Sequence, residues 1–464
     1  MANILTGTGR PNRRAGRRAN RLIVANFLTT TGRRLFWPVP RWRAVQEKLF
    51  LRHVAHAGRT EFYRRRLAGE KIRRLADITA LPLSDKHQLS AAGEAAFGCS
   101  PQEIREWVTT SGTMGKPLRV PLTKGDLNRL AENEAAALGI AGLATGDNLI
   151  IAVGMDRLFV AGLAYWLGAQ RLGAACWRVG TPHVAQPELL CSLLDAGRRN
   201  FLITVPSLLV HCPPPADRRV YHALAAIIGI GEPLRAADGS ANALAKRLAT
   251  NFGVPVLSTY ASTETCATFA EGPVCRGGHL NPALAVVEII DAQGRPIDAG
   301  RVGEVVITPL GVEGLPLLRF RTGDMAALYT EPCPCGRTTP RLGPIVGRRE
   351  QLLKVRGASL FPAAIFDVLH SLPEIRDYVV VVRRRHELSD VVTIHVQWER
   401  DAQAGRERLQ QKARAWLKIS PRIVSASALE LKALRLSSGS RKPPKFLDLR
   451  HTTSAEDRRA AASR

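Results

Sequence analysis

Thr109-Thr110-Ser111-Gly112-Thr113-Met114-Gly115-Lys116-Pro117 is the stretch of this chain that carries the most chemical information. A loop that is rich in glycine and hydroxyl side chains and contains one lysine offers a polyphosphate N–H groups, hydroxyl donors and a cation. Because glycine has no Cβ, the backbone turns tightly and comes close to the phosphates. The stretch therefore predicts a loop that binds the phosphates of a nucleotide.

A Walker-type phosphate loop is the first alternative for this stretch. That loop needs four residues between two glycines, and its lysine is followed by serine or threonine. Here Gly112 lies only three residues before Gly115, and Pro117 follows Lys116, so no hydroxyl comes after the lysine to hold magnesium. The spacing argues against a Walker-type nucleotidase, and a plain surface loop stays open for this stretch taken alone.

Two later segments carry other groups that a nucleotide site needs. Residues 260–264 (Y-A-S-T-E) supply an aromatic ring, hydroxyls and a carboxylate, and residues 319–324 (R-F-R-T-G-D) end in an aspartate suited to ribose hydroxyls. A strand-like apolar run at 254–258 precedes Tyr260, and ligands of parallel sheets bind at the carboxyl ends of strands. We expect the three segments to converge on one nucleotide.

Hydrophobic periodicity predicts an α/β protein. Strands that alternate with helices imply a parallel sheet covered on both faces. The predicted strands are 148–153, 174–177, 201–205, 224–230 and 254–258, and the predicted helices are 159–172, 186–198 and 234–252.

The length of 464 residues predicts a large N-terminal domain with parallel sheets and a smaller C-terminal α/β domain. That the small domain is a mobile lid is implied only by the family resemblance given below. Strand patterns joined by turns between 284 and 329 predict a β-rich subdomain. The predicted units are a basic arm at 1–46 that is disordered or lies on the surface, the N-terminal domain at 47–346, the lid domain at 347–450 and a disordered tail at 451–464.

The net charge of +26 raises the question of a nucleic-acid partner. Arginines are spread over the whole chain, aromatic residues make up only 6% of it, and no nucleic-acid-binding motif is recognisable. We therefore interpret the charge as the result of a general arginine bias, and expect no specific nucleic-acid partner. The positive charge can still attract anionic substrates. The sequence holds no run of about eighteen apolar residues, so no membrane span is expected.

Eight cysteines in so long a chain do not indicate a disulfide framework, and they favour a reducing, cytoplasmic setting. Two short pairs stand out: Cys275 with His279, and Cys333 with Cys335. Three thiolates and one imidazole are the ligands of a tetrahedral structural zinc site. The pairs predict structural Zn²⁺, and two unrelated loops with free thiols are the alternative.

In their order and spacing, these segments resemble the adenylate-forming ligases, and most closely the phenylacetate–CoA ligase branch. The resemblance runs from about residue 54 to about residue 450. It is carried by T-T-S-G-T-M-G-K-P, L-F-V-A-G-L-A-Y-W-L-G-A-Q-R-L-G-A, G-E-P-L, Y-A-S-T-E, G-L-P-L-L-R-F-R-T-G-D, C-P-C-G-R-T, G-R-R-E-Q-L-L-K-V-R-G-A-S-L-F-P and S-G-S-R-K.

The resemblance implies a two-step reaction. A carboxylate attacks the α-phosphate of ATP to give an acyl-adenylate and pyrophosphate, and a thiol, usually CoA, then attacks the acyl carbon. Charge develops on phosphate oxygens in the first step, where cations and N–H donors stabilise it. The residues implied to cradle the β- and γ-phosphates are Ser111, Gly112, Thr113, Gly115 and Lys116, while Met114 stands where relatives often have threonine.

Further nucleotide contacts are implied by the same resemblance. Glu264 would hold Mg²⁺, which prefers oxygen ligands, and Thr263 would donate to the α-phosphate. Asp324 would accept hydrogen bonds from both ribose hydroxyls, and Arg348 would reach the ribose or the phosphate. The residues implied to line the adenine are Tyr260 on one face and Gly231, Glu232 and Pro233 on the other.

The C-terminal part carries the residues implied for domain movement and thiol transfer. Glu350 occupies the hinge position, where relatives usually have aspartate, and Gly357 would leave room for the pantetheine arm. Lys442 aligns with the lysine that assists adenylation, although Arg441 replaces the usual glycine before it. Lys445 is the second candidate for that role, and a solvated basic tail is the alternative for both.

The acyl pocket is implied to lie between residues 159–166, 206–209 and 229–231, which are apolar and include aromatic side chains. Such walls suit an aryl or medium-length acyl group, and a packed helix face is the alternative. Three functions stay open: an acyl- or aryl-CoA ligase, an adenylating enzyme with a carrier protein, amine or cofactor as acceptor, and a non-catalytic basic scaffold. A carboxylic acid is the expected small-molecule partner, and a homodimer stays open.

Overall fold

Three sheets of four or more strands organise the computed structural model of the chain. The α/β class that the sequence predicts is confirmed. No helix within the described residues is both long and apolar enough to cross a bilayer. The structure describes residues 30–110, 117–156, 158–180, 187–195, 197–210, 212, 222–355, 358–385, 389–399, 401–436 and 445–450.

The largest sheet has nine strands, and one half of it is parallel. The parallel strands are near-continuous apolar runs, as expected for strands that are buried on both faces. In spatial order the strands are β13 (Leu328–Tyr329), β14 (Arg341–Leu342), β9 (Gly278–His279), β8 (Ala267–Ala270), β7 (Val256–Ser262), β6 (Leu224–Gly229), β5 (Asn200–Thr204), β3 (Asn148–Ala152) and β4 (Ala175–Arg178).

Helices cover both faces of this sheet, as the alternating pattern predicts. Successive side chains of a strand point to opposite faces. Leu149 and Ile151 accordingly belong to one buried apolar cluster, and Ile150 belongs to another. The helices in the first cluster are α5 (Lys124–Ala141) and α6 (Val160–Leu172), and those in the second are α7 (Pro187–Leu193) and α8 (Ala243–Phe252).

A second, antiparallel sheet forms the β-rich part of the chain. Arg319 lies directly before the third strand of this sheet in chain order and has a φ of 42°. Its side chain is held by several hydrogen bonds. Its guanidinium donates to both carboxylate oxygens of Glu288, at 3.0 and 2.9 Å, and to the Leu81 carbonyl at 3.0 Å. The strands of this sheet are β10 (Ala285–Ile290), β11 (Gly303–Pro309), β12 (Phe320–Ala326) and β15 (Gly347–Arg348), and β1 (Ile104–Thr109) pairs separately with β2 (Arg119–Thr123).

We expect Glu288→Ala to destabilise the fold by about 3–5 kcal/mol, because it leaves the buried Arg319 cation without its carboxylate. Urea unfolding measures this change. The control is Arg198→Ala, which removes an exposed ion pair and should change stability by less than about 1 kcal/mol. Equal effects of the two substitutions would show that the buried pair does not anchor the start of β12.

The C-terminal region has its own sheet and apolar core. Two of its strands form a long antiparallel hairpin, and a parallel strand pairs on each side of it. Its strands are β16 (Leu353–Val355), β17 (Ala358–Leu360), β18 (Ile375–Arg385), β19 (Ser389–Trp398), β20 (Arg422–Ser425) and β21 (Phe446–Asp448), and its helices are α9 (Pro362–His370), α10 (Ala402–Lys412) and α11 (Ala428–Leu436).

The N-terminal segment differs from the predicted arm at 1–46. Leu35 is completely buried, and Gln46 is buried and donates to the Ala285 carbonyl at 2.8 Å. The prediction of a disordered or surface arm is therefore wrong for the part of residues 32–46 that packs on the core, where Leu35, Trp42 and Gln46 are buried despite the surrounding arginines. Residues 1–29 and the predicted tail at 451–464 lie outside the described part. The remaining helices are α1 (Thr30–Arg34), α2 (Val39–Ala57), α3 (Glu61–Arg66) and α4 (Lys86–Ala92).

Two predicted boundaries near the site are also wrong. The helix predicted at 234–252 begins only at Ala243, because Gly239 forms a turn at φ 81° and Asn242 caps the helix by accepting from the Ala245 N–H. The strand predicted at 254–258 continues to Ser262. Tyr260 therefore lies inside β7 instead of after it.

Candidate active site

Tyr260, Asp324 and Arg348 form a hydrogen-bonded group where the two large sheets meet. The Tyr260 hydroxyl donates to Asp324 Oδ2 at 2.7 Å, and Arg348 Nε donates to Asp324 Oδ1 at 3.0 Å. Asp324 and Arg348 are directly paired residues of β12 and β15, while Tyr260 comes from β7 of the nine-stranded sheet. The fold thus brings together three side chains that the sequence assigned to one nucleotide site.

Charge and burial shape the acid–base properties of this group. Burial raises the pKa of Tyr260 well above its usual value, and the Asp324 carboxylate raises it further, so the phenol stays neutral. Burial lowers the pKa of Arg348, but the charge of Asp324, its hydrogen bond to Arg348 and the charge of Glu264 outweigh that effect and leave the pKa raised. The site therefore presents a fixed aspartate with a permanent cation beside it.

Thr263 and Glu264 lie in the tight turn that joins β7 to β8. The Ser262 hydroxyl donates to Glu264 Oε2 at 2.9 Å and orients the carboxylate. The charge of Glu264 contributes to raising the pKa of Arg348, so the carboxylate is within electrostatic range of the Asp324 group. The Glu264 oxygens in this turn can hold a cation, including the counter-ion of an anionic ligand.

Lys86 is a site residue that the sequence reasoning missed. It is the first residue of α4, whose cap Asp85 accepts from the Gln88 N–H at 2.9 Å. Burial lowers the pKa of Lys86, while the charge of Glu264 raises it and that of Arg348 lowers it, so the ammonium is within electrostatic range of both. The preceding Ser84 pairs with strand β12, since its carbonyl accepts from Arg321 N at 2.8 Å.

A sequence signal for Lys86 did exist. The N-terminus of a helix carries a partial positive charge, so a lysine in the first turn is unfavourable there. A lysine directly after a capping aspartate therefore suggests that its charge has a function other than stabilising the helix. The pattern Ser84-Asp85-Lys86 shows this arrangement in the sequence.

The segment predicted to line the adenine is held firmly from two sides. Gly231 has a φ of 69°, a conformation that favours glycine. The Glu232 carboxylate accepts from the Ser207 N–H at 2.8 Å and from the Ser207 hydroxyl at 2.6 Å. The Pro233 carbonyl accepts from the Asn242 side chain at 2.8 Å. Glu232 thus fixes the loop after β5, and its contact with adenine stays a prediction.

The three wall segments of the predicted acyl pocket lie close together. A Cβ on Gly229 would come within 2.8 Å of Pro206, so the two segments touch. Ile230 belongs to the same buried cluster as Tyr165 of α6, and Phe159 packs against that cluster. Apolar and aromatic side chains therefore dominate this part of the structure, and no polar specificity contact is evident from the described residues.

Several predicted residues fall outside the described part of the chain. They are Ser111, Gly112, Thr113, Gly115, Lys116, Gly357 and Lys442.

The ends of the phosphate loop are nevertheless fixed. Thr110 N donates to the Leu118 carbonyl at 3.1 Å across the β1–β2 hairpin, and Thr109 N donates to the Leu158 carbonyl at 2.9 Å next to α6.

The predicted hinge residue lies between the two parts of the chain. Glu350 is exposed on a short turn that follows β15 and precedes β16. Its carbonyl accepts from Arg450 Nη2 at 2.7 Å, and Arg450 also donates to the Leu352 carbonyl at 2.9 Å. Lys445 lies over the Tyr378 ring, 5.0 Å from its centroid, in the C-terminal region. The roles of Glu350 and Lys445 stay predictions.

The two cysteine pairs form one cluster, Cys275, His279, Cys333 and Cys335. The four ligand atoms lie within 4.8 Å of one another. Cys335 Sγ is 3.2 Å from His279 Nε2, and His279 Nδ1 is 3.0 Å from the Thr339 hydroxyl, which leaves Nε2 to face the thiols. Hydrogen bonds from Cys275 and Cys333 lower the pKa of Cys335 and favour a thiolate there. The alternative of two unrelated loops is excluded.

Comparison with known proteins agrees with this site. The profile of the AMP-binding enzyme family matches residues 66–312, more than half of the chain. A phenylacetate-coenzyme A ligase from Thermus thermophilus is 31% identical over 365 residues, which cover 76% of this chain and 81% of that protein. The ligase of the same name from Pseudomonas putida is 27% identical over 71% of this chain and 74% of its own.

The chain therefore belongs to the AMP-binding enzyme family of adenylate-forming ligases. Within it, the chain is an AMP-forming acid–thiol ligase similar to the phenylacetate–CoA ligases: it converts a carboxylic acid and ATP to an acyl-adenylate, and the acyl group then passes to a thiol. The resemblance stated from the sequence is confirmed.

Solved structures support the fold. A 2-hydroxyisobutyryl-CoA ligase in its post-adenylation state gives a TM-score of 0.73 at 20% identity and covers 93% of both chains. The same enzyme in its thioesterification state gives 0.61 at 21% identity, with 93% of this chain and 94% of that chain covered.

Proposed function

We propose that this protein is an aryl-CoA ligase that activates an aryl or arylacetic acid with ATP and transfers the acyl group to CoA. The observation that carries the proposal is the Asp324 carboxylate, fixed by Tyr260 and Arg348 beside the charge of Glu264. The aromatic and apolar wall segments and the phenylacetate-coenzyme A ligase relatives support an aryl acid. The thiol of a carrier protein, in place of CoA, stays the second candidate for the acceptor.

The first half-reaction uses the charges of this site. Asp324 binds the ribose hydroxyls and so fixes the α-phosphate near the acid. Arg348 and Lys86 stabilise the negative charge that grows on the phosphate oxygens as the carboxylate attacks. Thr263 donates to the α-phosphate, and the loop residues 111–116 hold the departing pyrophosphate. Glu264 would hold Mg²⁺, which supplies positive charge to the phosphates.

The second half-reaction requires a different arrangement of the C-terminal region. The higher similarity to the post-adenylation state supports assigning the described arrangement to the first half-reaction. Rotation about Glu350 would remove Lys442 from the acyl-adenylate and bring Gly357 to the thiol channel. The boundary between the N-terminal domain at 47–346 and the lid domain at 347–450 is part of this proposal.

Pyrophosphate release over a panel of carboxylic acids, with and without CoA, tests the proposed function. We expect CoA-dependent turnover with aryl or arylacetic acids and weak turnover with short aliphatic acids. Pyrophosphate release that is independent of CoA would favour another acceptor. Salt-sensitive binding to nucleic acid without any ATP chemistry would favour the scaffold alternative and overturn the proposal.

We further propose that the cysteine–histidine cluster holds structural Zn²⁺. Zn–S bonds of about 2.3 Å in a tetrahedron place sulfur atoms about 3.8 Å apart, which the cluster's spacing of 4.8 Å or less can accommodate. All four positions are taken by protein ligands, so the metal would stabilise the loops between β8 and β14. The eight free cysteines are consistent with the proposed cytoplasmic setting.

Elemental analysis should find about one zinc per chain. Cys335→Ser should lose the metal and lower the melting temperature, because metal binding contributes directly to folding. Cys191→Ser, which lies on α7 away from the cluster, is the matched control and should keep both. A metal-free protein with unchanged melting and activity would remove the zinc proposal.

A further inference from the structure

A direct hydrogen bond joins the C-terminal region to a helix that packs on the nine-stranded sheet. Asp367 lies on α9 of the C-terminal region, and its Oδ1 accepts from the backbone N–H of Ala243 at 2.7 Å. Ala243 is the first residue of α8, which packs on the nine-stranded sheet. The carboxylate therefore reaches across from one part of the chain to the other.

The N-terminus of α8 is well suited to receive this carboxylate. The first amides of a helix have no partner within the helix, and the helix dipole gives them a partial positive charge. Asn242 already accepts from the Ala245 N–H at 3.0 Å, so Asp367 satisfies a second amide, that of Ala243. The bond is charge-assisted, and such bonds are stronger than neutral ones.

The same helix end is tied to the nucleotide site. Asn242 Nδ2 donates to the Pro233 carbonyl at 2.8 Å, and Asn242 N donates to the Leu234 carbonyl at 3.1 Å. Pro233 ends the segment proposed to line the adenine. Asn242, the residue before Ala243, thus links the start of α8 to the segment proposed to line the adenine through two hydrogen bonds.

Further contacts surround this bond. Arg247, one turn along α8, lines a narrow crevice together with Tyr378 and Lys445 of the C-terminal region. Glu399 acts electrostatically on Arg247, and Glu232 acts on Tyr378, across the same boundary. Lys445, which lines this crevice, is the second candidate for the adenylation lysine and follows Lys442 by three residues in the sequence.

We infer that Asp367 is a positioning residue for adenylation: it clamps the C-terminal region onto the N-terminus of α8, and the clamp opens before the thiol step. This inference rests on the proposed two-step function. The clamp holds α9 against the start of α8, next to the proposed adenine wall, during the first half-reaction. Its release frees the C-terminal region to turn about Glu350.

The test separates the two half-reactions in the full-length protein. ATP–pyrophosphate exchange with an accepted acid measures adenylation, and single-turnover transfer from a preformed acyl-adenylate to CoA measures the thiol step. Asp367→Ala should lower the exchange rate by about tenfold, the effect of losing one charge-assisted hydrogen bond, without slowing the thiol step. The matched control is Asp401→Asn, which changes a helix-capping aspartate contained within the C-terminal region.

Hydrogen–deuterium exchange provides a readout that does not depend on activity. Asp367→Ala should speed exchange in a peptide that contains Ala243, and Asp401→Asn should not. Unchanged exchange at this peptide, or an equal fall in both half-reactions, would overturn the clamp. Faster exchange in a protein that adenylates no acid would support the contact and instead refute the proposed function.

Discussion

Asp324→Ala is expected to lower kcat/KM for ATP by about a hundredfold or more. The substitution removes the proposed acceptor of both ribose hydroxyls, and hydrogen bonds to a charged group contribute about 1.5–3 kcal/mol each. Because the carboxylate also holds Tyr260 and Arg348, its loss leaves both side chains without a common partner. ATP–pyrophosphate exchange at varied ATP concentration measures the effect.

Asp298→Asn is the matched control for this substitution, since Asp298 is exposed on a turn of the β-rich part. It should leave the exchange rate unchanged. A melting curve shows whether Asp324→Ala still folds. A folded Asp324→Ala protein with the normal KM and kcat for ATP would show that the nucleotide binds elsewhere.

Lys86→Met is expected to slow adenylate formation by about ten- to a hundredfold. Methionine keeps the apolar part of the side chain and removes the cation that interacts electrostatically with Glu264 and Arg348. A positioned cation stabilises the charge that develops on the transferring phosphate. The effect should be largest on kcat of the exchange reaction, because the charge develops in the transition state.

Lys48→Met removes an exposed lysine of α2 and serves as the control. It should behave like the unmodified protein. Lys86→Arg should recover part of the rate, because it restores the charge with a different shape. If Lys86→Met retained full exchange activity, the lysine would have only a structural role at the start of α4.

The parallel sheet could be predicted from the sequence because its strands are apolar and its helices are amphipathic at regular spacing. The start of α8 could not be predicted from periodicity, since the apolar residues at 234–252 fit a helix throughout. The local signals were the glycine turn at Gly239 and the capping Asn242, and they override the periodic pattern. The packing of the segment at 30–46 on the core was not predicted because the segment is rich in arginine. The charged ends of arginine side chains can reach water while apolar side chains of the same segment are buried.

Most individual residues of the site could be predicted from the sequence, but the contacts between them could not. Tyr260 and Asp324 are 64 residues apart in the chain, and only the meeting of two sheets brings them to 2.7 Å. The cysteine cluster was predictable because its ligand types are diagnostic even at a wide separation. Lys86 and Asp367 were missed because each acts on a distant element, and neither belongs to a motif that spacing alone can reveal.

A crystal structure of the protein with an acyl-sulfamoyl adenosine, a stable mimic of the acyl-adenylate, tests the central claim most directly. The account predicts that the ribose hydroxyls lie within hydrogen-bond distance of the Asp324 carboxylate, with the sulfamoyl group near Lys86 and the acyl group against Ile230. A ligand bound away from Asp324, or a site without contact to residues 231–233 and 260–264, would contradict it.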